Sequence, residues 1–211
     1  MIGNLKLMDW LQIFTLVTGV LYIIYEIRQK NFMWVVGIAT SLAAMWVFFR
    51  QGLYASFGLN TYYFITSFIG LWHWRRDKKA LCGSGSQERT DEVVLNRLTW
   101  RTLAFSGVIC VLGTFVLSYG MSLMHESGIL KENPMSLLDS AVTVLSAVAT
   151  WWLVRSYLEQ WWLWIVADLM STVLCASQGM WWMAALYLAY VLSAIYGLMY
   201  WKKNGRYLAD I

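Results

Sequence analysis

Residues 159–203 read EQWWLWIVADLMSTVLCASQGMWWMAALYLAYVLSAIYGLMYWKK, two apolar segments that meet at Gln178-Gly179. Each is long enough to cross a hydrocarbon layer about 30 Å thick. At about 100° per residue, Trp161, Trp164, Asp168, Ser171 and Cys175 fall on one side of a helix. Two indoles and a carboxylate therefore share one stripe. Asp168 lies eight residues past Gln160, near the membrane midplane, where an ionisable group costs about 2.5–3.5 kcal/mol even on the lenient insertion scale. A hydrogen bond to a neighbouring helix is the structural explanation for such a group. A ligand site is the functional one, and the indoles beside it favour that reading.

Composition sets the class. Of 211 residues, 59% are apolar, 17% aromatic and 13% charged, with a single proline. That is the profile of an all-α membrane protein with several spans. Seven transmembrane helices are expected, at about 9–28, 32–50, 54–74, 99–123, 136–154, 160–177 and 180–201. Met1 to Asp9 lacks the basic region and cleavage site of a secretory signal, so the first run is expected to stay in the membrane. Residues 75–101 are polar and charged, with a Gly/Ser run from Cys82 to Ser86, and read as a solvated linker with a short amphipathic turn at Asp91–Leu98. That run lacks the flanking strand and Lys-Ser/Thr of a phosphate loop. The three cysteines are too scattered for a disulfide framework or a metal site, and no cofactor is expected.

Seven crossings divide the 16 Lys and Arg thirteen to three, with only Lys6, Arg50 and Lys131 on the poorer side. The positive-inside rule then puts the N-terminus outside and the C-terminus in the cytoplasm. The net charge of +4 reflects this asymmetry and anionic lipid nearby, and calls for no nucleic acid.

Sliding the chain by 127 residues lays Trp34 on Trp161, Ile38 on Ile165, Gln51-Gly52 on Gln178-Gly179, Leu59 on Leu186, Tyr63 on Tyr190, Gly70-Leu71 on Gly197-Leu198 and Trp74 on Trp201, without a gap. The offset spans four helices, an even number, so the copies run the same way. This is a 3+1+3 parallel pseudo-repeat: residues 1–78, a linker with helix four at 79–134, and residues 135–211. Parallel three-helix repeats are a transporter architecture with substrate between the halves; a duplication with no pore is the alternative. Where the copies differ, Asp168 faces Ser41, Trp164 faces Gly37 and Tyr187 faces Asn60. The expected site joins Asn60, Tyr63 and Ser67 of helix three to Trp161, Trp164 and Asp168, closed by Tyr187 and Tyr190. Asp139 reads as a helix N-terminal charge, and Trp151-Trp152, Trp162 and Trp181-Trp182 as interfacial belts. Indoles beside a carboxylate suit a small, cationic, aromatic nutrient.

Gly52-Leu53-Tyr54-Ala55-Ser56 leading to Gly70 and Trp74, Asp139-Ser140 opening helix five, Tyr157-Leu158-Glu159-Gln160-Trp161 with Trp164, and Gln178-Gly179 together resemble the PnuC family of bacterial vitamin transporters, over essentially the whole chain. The resemblance implies a SWEET-like fold in the inner membrane and a homotrimer. It also implies a facilitator that works by alternating access, with uptake made one-way by a cytosolic vitamin kinase. Within that family the nicotinamide riboside branch is expected to carry Gln where Asn60 stands and Asn where Asp168 stands. Amides suit ribose hydroxyls, whereas a carboxylate against indoles suits the aminopyrimidine and thiazolium of thiamine. Thiamine is therefore the first expectation and nicotinamide riboside the alternative. An enzyme is not expected, because no nucleophile, metal set or acid/base pair stands at reactive spacing: His73 and His125 are isolated. A membrane scaffold would explain the helices but neither Asp168 nor the repeat.

Overall fold

The computed structural model describes residues 19, 21–51, 54–83, 92–127 and 135–208. The start of the first expected segment, Gly52, and most of the Gly/Ser run lie outside the described residues. Seven helices are seen among them: α1, described over residues 21–27, then α2 (Phe32–Gln51), α3 (Tyr54–Gly83), α4 (Trp100–Glu126), α5 (Ser136–Val154), α6 (Gln160–Ser177) and α7 (Trp181–Asn204). Two three-residue strands, β1 (Val93–Leu95) and β2 (Gly205–Tyr207), complete it. By length and composition, α4, α5 and residues 183–204 of α7 are apolar enough to cross a membrane. Hydroxyl side chains do not disturb them. Thr66, Ser67, Thr150, Ser171, Thr172 and Ser193 each donate to the carbonyl four residues back, satisfying themselves where water is absent.

The chain gathers into two compact units, one of residues up to Leu95 together with Lys203 onward, the other of Asn96–Lys202. In the first, Trp34 and Trp74 are fully buried and meet edge to face, with ring centroids 5.0 Å apart. A Cβ on Gly70 would sit 2.4–2.6 Å from the Trp34 indole. In the second unit Trp161 meets Trp201 in the same way at 5.5 Å. A Cβ on Gly197 would lie 2.4–2.6 Å from Trp161. Both triads stand at the 127-residue spacing, and in each only glycine leaves room for the ring.

The corners recur at that spacing too. Gln29 (φ 46°) and Ser156 (φ 57°) are left-handed residues other than glycine. Each closes its helix with paired backbone bonds: Gln29 N–H to Glu26 and Lys30 N–H to Tyr25, then Ser156 N–H to Leu153 and Tyr157 N–H to Trp152. The same pattern ends α6 at Gly179 (φ 74°), where Gly179 and Met180 donate to Ala176 and Cys175. These are helix stops of the Schellman kind, for which a left-handed residue is the requirement.

Two expectations for residues 75–101 are corrected. The basic run does not end α3, which continues to Gly83, because Arg, Lys and Ala are good helix formers even where hydropathy falls. Residues 93–95 form no amphipathic turn. They are a buried strand, pairing in parallel with β2, since Val-Val-Leu is apolar and its two valines are β-branched. The Gln29 side chain anchors that strand: its amide donates to the Val94 carbonyl at 2.8 Å and accepts from the Val94 N–H at 2.7 Å. Lys78 Nζ also donates to the Gln29 carbonyl at 2.5 Å. Replacing Gln29 by alanine leaves both Val94 groups unpaired in a dry place. The expected loss is about 2–4 kcal/mol, read as a lowered thermal midpoint in detergent.

Candidate functional site

α6 brings its stripe to the inside of the second unit. Gln160, Trp161, Asp168, Ser171 and Cys175 are buried, with Asp168 only 9% exposed. Trp162, Val166, Leu169 and Val173 form the opposite, exposed face. The helix is thus two-sided in a membrane-like sense, with its polar groups turned toward protein.

Around Asp168 the structure gathers three of the expected residues. Tyr187 and Tyr190, one turn apart on α7, meet edge to face at 5.9 Å. Asp168 lies within electrostatic reach of both, and Tyr187 also faces Asp139 and Cys175. Among the described residues no cation pairs with Asp168. Trp164, one turn before it, is half-buried, and its buried indole N–H has no hydrogen-bond partner in the protein. The Gln160 amide, two turns before it on the same line, is fully buried and likewise without a partner. A carboxylate and two phenols thus meet here, with a buried indole N–H one helical turn away on α6. Together they can accept hydrogen bonds from ribose or amine donors, donate to a carbonyl, and offset a positive ring.

Trp161 is placed differently from Trp164. It is 2% exposed, with its ring over Gly197 and its edge toward Trp201. No ring contact joins it to Trp164 among the described residues. It fills the α6–α7 seam, and Trp164 is the indole next to Asp168. Asp139 lies in the first turn of α5 as expected, and it also faces Tyr187. Of the expected belt residues, Trp151, Trp162 and Trp181 are exposed, but Trp152 is 3% exposed and donates its indole N–H to Ser106 of α4 at 3.0 Å. Its belt assignment is corrected: the hydroxyl partner on α4 lets it be buried.

In the first unit, Asn60, Tyr63 and Ser67 occupy three successive turns of α3. Ser67 donates to the Tyr63 carbonyl and presses on Gly37 of α2, where a Cβ would come within 2.9 Å of its Oγ. Tyr63 contacts Tyr62, with centroids 5.7 Å apart, and lies in electrostatic reach of Tyr22, which also faces Glu26. Glu26 is 5% exposed, a buried acid that the sequence reading missed. Its neighbour Tyr22, four residues earlier on α1, was the available signal. No group of three or more His, Cys, Asp or Glu side chains among the described residues could hold a metal.

A family model described as nicotinamide mononucleotide transporter matches residues 9–203. Nicotinamide riboside transporter PnuC of Neisseria mucosa is 26% identical over 204 residues, 92% of this chain and 73% of that protein. The protein of the same name from Escherichia coli is 24% identical over 220 residues, covering 94% and 87%. A crystal structure of the vitamin B3 transporter PnuC superposes with a TM-score of 0.65 at 25% identity, over 92% of this chain and 81% of that one.

Proposed function

Because the chain belongs to the nicotinamide mononucleotide transporter family, and is a membrane transporter of the PnuC kind and not an enzyme, we propose that it carries nicotinamide riboside. What carries the reading is the group of partnerless polar atoms in the second unit. Asp168 lies buried in electrostatic reach of Tyr187 and Tyr190, and one turn before it the Trp164 N–H is buried without a protein partner, a lining that a pyridine nucleoside can satisfy. Ribose hydroxyls donate to the carboxylate and the carboxamide accepts from the indole, so hydrogen bonding and not charge holds this ligand. From the sequence alone, Asp168 puts thiamine first. The relatives above are nicotinamide riboside transporters by name, and they support the alternative instead. Asp168 itself keeps thiamine as the second reading, since a carboxylate also fits an aminopyrimidine.

In this proposal residues 1–78 and 135–211 are the two halves, 79–134 links them, and Asn60, Tyr63 and Ser67 line the first half's side of the passage. Transport is facilitated diffusion by alternating access. A cytosolic kinase then adds a phosphate whose charge bars return through an apolar barrier. The basic ends of the helices support an inner-membrane protein with its C-terminus inside. The homotrimer remains part of this proposal on the strength of the family resemblance.

Uptake of labelled nicotinamide riboside and thiamine into vesicles holding the purified protein is the test. Saturable entry of nicotinamide riboside, with thiamine slower by at least about tenfold, a difference of about 1.4 kcal/mol, is the expected result. Entry of thiamine alone reverses the ranking, and entry of neither removes the transport reading.

A further inference from the structure

Beyond the transport reading, the outer face of α3 carries a second kind of site. Phe68, Leu71, Trp72, Arg75, Arg76 and Lys79 line an open groove of about 460 Å³. Positions 68, 72, 75–76 and 79 fall on one side of the helix, so the groove changes from apolar to cationic along about 16 Å of axis at 1.5 Å per residue. Phe68 and Trp72 are half or more exposed, and no other protein element covers them among the described residues.

The charges in the groove are not equivalent. Arg76 stacks its guanidinium 5.1 Å from the Trp72 ring centroid and reaches Asp77 at 3.3 Å, so it is held in place and partly neutralised. Arg75 and Lys79, one turn apart, are exposed, and neither is paired with a carboxylate among the described residues. Two cations are thus free to meet a phosphate, just beyond an aromatic surface suited to acyl chains. We propose that this groove binds an anionic phospholipid, with its phosphate on Arg75 and Lys79 and its chains along Trp72, Leu71 and Phe68. Charge complementarity selects that occupant over a zwitterionic lipid. The apolar half selects it over soluble phosphates.

Native mass spectrometry of the full-length protein in detergent tests this, with phosphatidylglycerol and phosphatidylethanolamine added separately. Phosphatidylglycerol is expected to be retained preferentially. That preference should fall about fivefold for Lys79→Gln and about thirtyfold for Arg75→Gln with Lys79→Gln. The charge-keeping pair Arg75→Lys with Lys79→Arg should bind as the parent does. Lys79 is exposed, so the single variant tests the site even if the double variant does not fold. Equal retention of the two lipids, or a preference unaltered in Lys79→Gln, overturns the proposal. So does displacement of the lipid by equimolar glycerol 3-phosphate, which would show that the site reads phosphate alone. Because uptake can be measured in vesicles without anionic lipid, failure here leaves the transport reading standing.

Discussion

Asp168→Ala is expected to weaken nicotinamide riboside binding by about 2–3 kcal/mol, about 30- to 150-fold, because a site built to hydrogen-bond a substrate loses that much when the partner is deleted. Asp168→Asn separates shape from charge. The amide has the same outline and still accepts from ribose hydroxyls, so nicotinamide riboside binding is expected to stay within about threefold, about 0.7 kcal/mol. The same change should cost thiamine far more, since the aminopyrimidine and thiazolium lose their counter-charge. Titration calorimetry of the two vitamins against both variants and the parent reads all of these at once. If Asn falls as far as Ala for nicotinamide riboside, charge is what the pocket measures, and the hydrogen-bonding account of this ligand fails. The ligand-free protein gives an independent check. Removing a buried unpaired carboxylate relieves a desolvation cost, so Asp168→Asn should melt no lower than the parent. A marked loss of stability would instead mean that Asp168 ties helices together.

Much of this arrangement was legible because apolar runs in a membrane protein end where charge or a turn residue begins. The expected bounds of helices five and six, 136–154 and 160–177, agree with Ser136–Val154 and Gln160–Ser177, for Arg155 and the Gln178-Gly179 stop interrupt unbroken hydropathy. The same rule fails at Trp74. There hydropathy ends but helical propensity does not, and α3 runs on for two and a half turns to Gly83. It fails again at residues 93–95, whose burial depends on a glutamine 65 residues away in sequence. Within the site, periodicity put Asp168, Trp164 and Trp161 on one stripe but could not rank them. Which indole packs and which remains beside the carboxylate is decided by a glycine on another helix. Glu26 was missed for a related reason. Next to Arg28 at the end of an apolar run it reads as an interfacial charge, and only the fold turns it toward Tyr22.

That division of labour between the two indoles predicts two different losses. Trp161→Ala empties the seam over Gly197 and is expected to cost about 3–5 kcal/mol of stability, the usual penalty for deleting a buried aromatic ring. Trp164→Ala removes a half-buried ring beside Asp168. It should leave the thermal midpoint near the parent's while weakening nicotinamide riboside binding by about 1–3 kcal/mol. Melting curves and calorimetry on the two variants side by side separate packing from ligand contact. Equal losses of affinity with equal stability would mean that both rings stack on the ligand. The opposite perturbation of the seam is available at its other wall. A methyl on Gly197 would have to occupy space 2.4 Å from the Trp161 ring, so Gly197→Ala is expected to destabilise by about 1–3 kcal/mol through overpacking. The steric reason is the same at Gly70 against Trp34, and Gly70→Ala should cost a similar amount. Were both glycines needed only as flexible points in α3 and α7, alanine, the better helix former, would stabilise the protein instead. The sign of the shift therefore distinguishes a packed triad from a hinge.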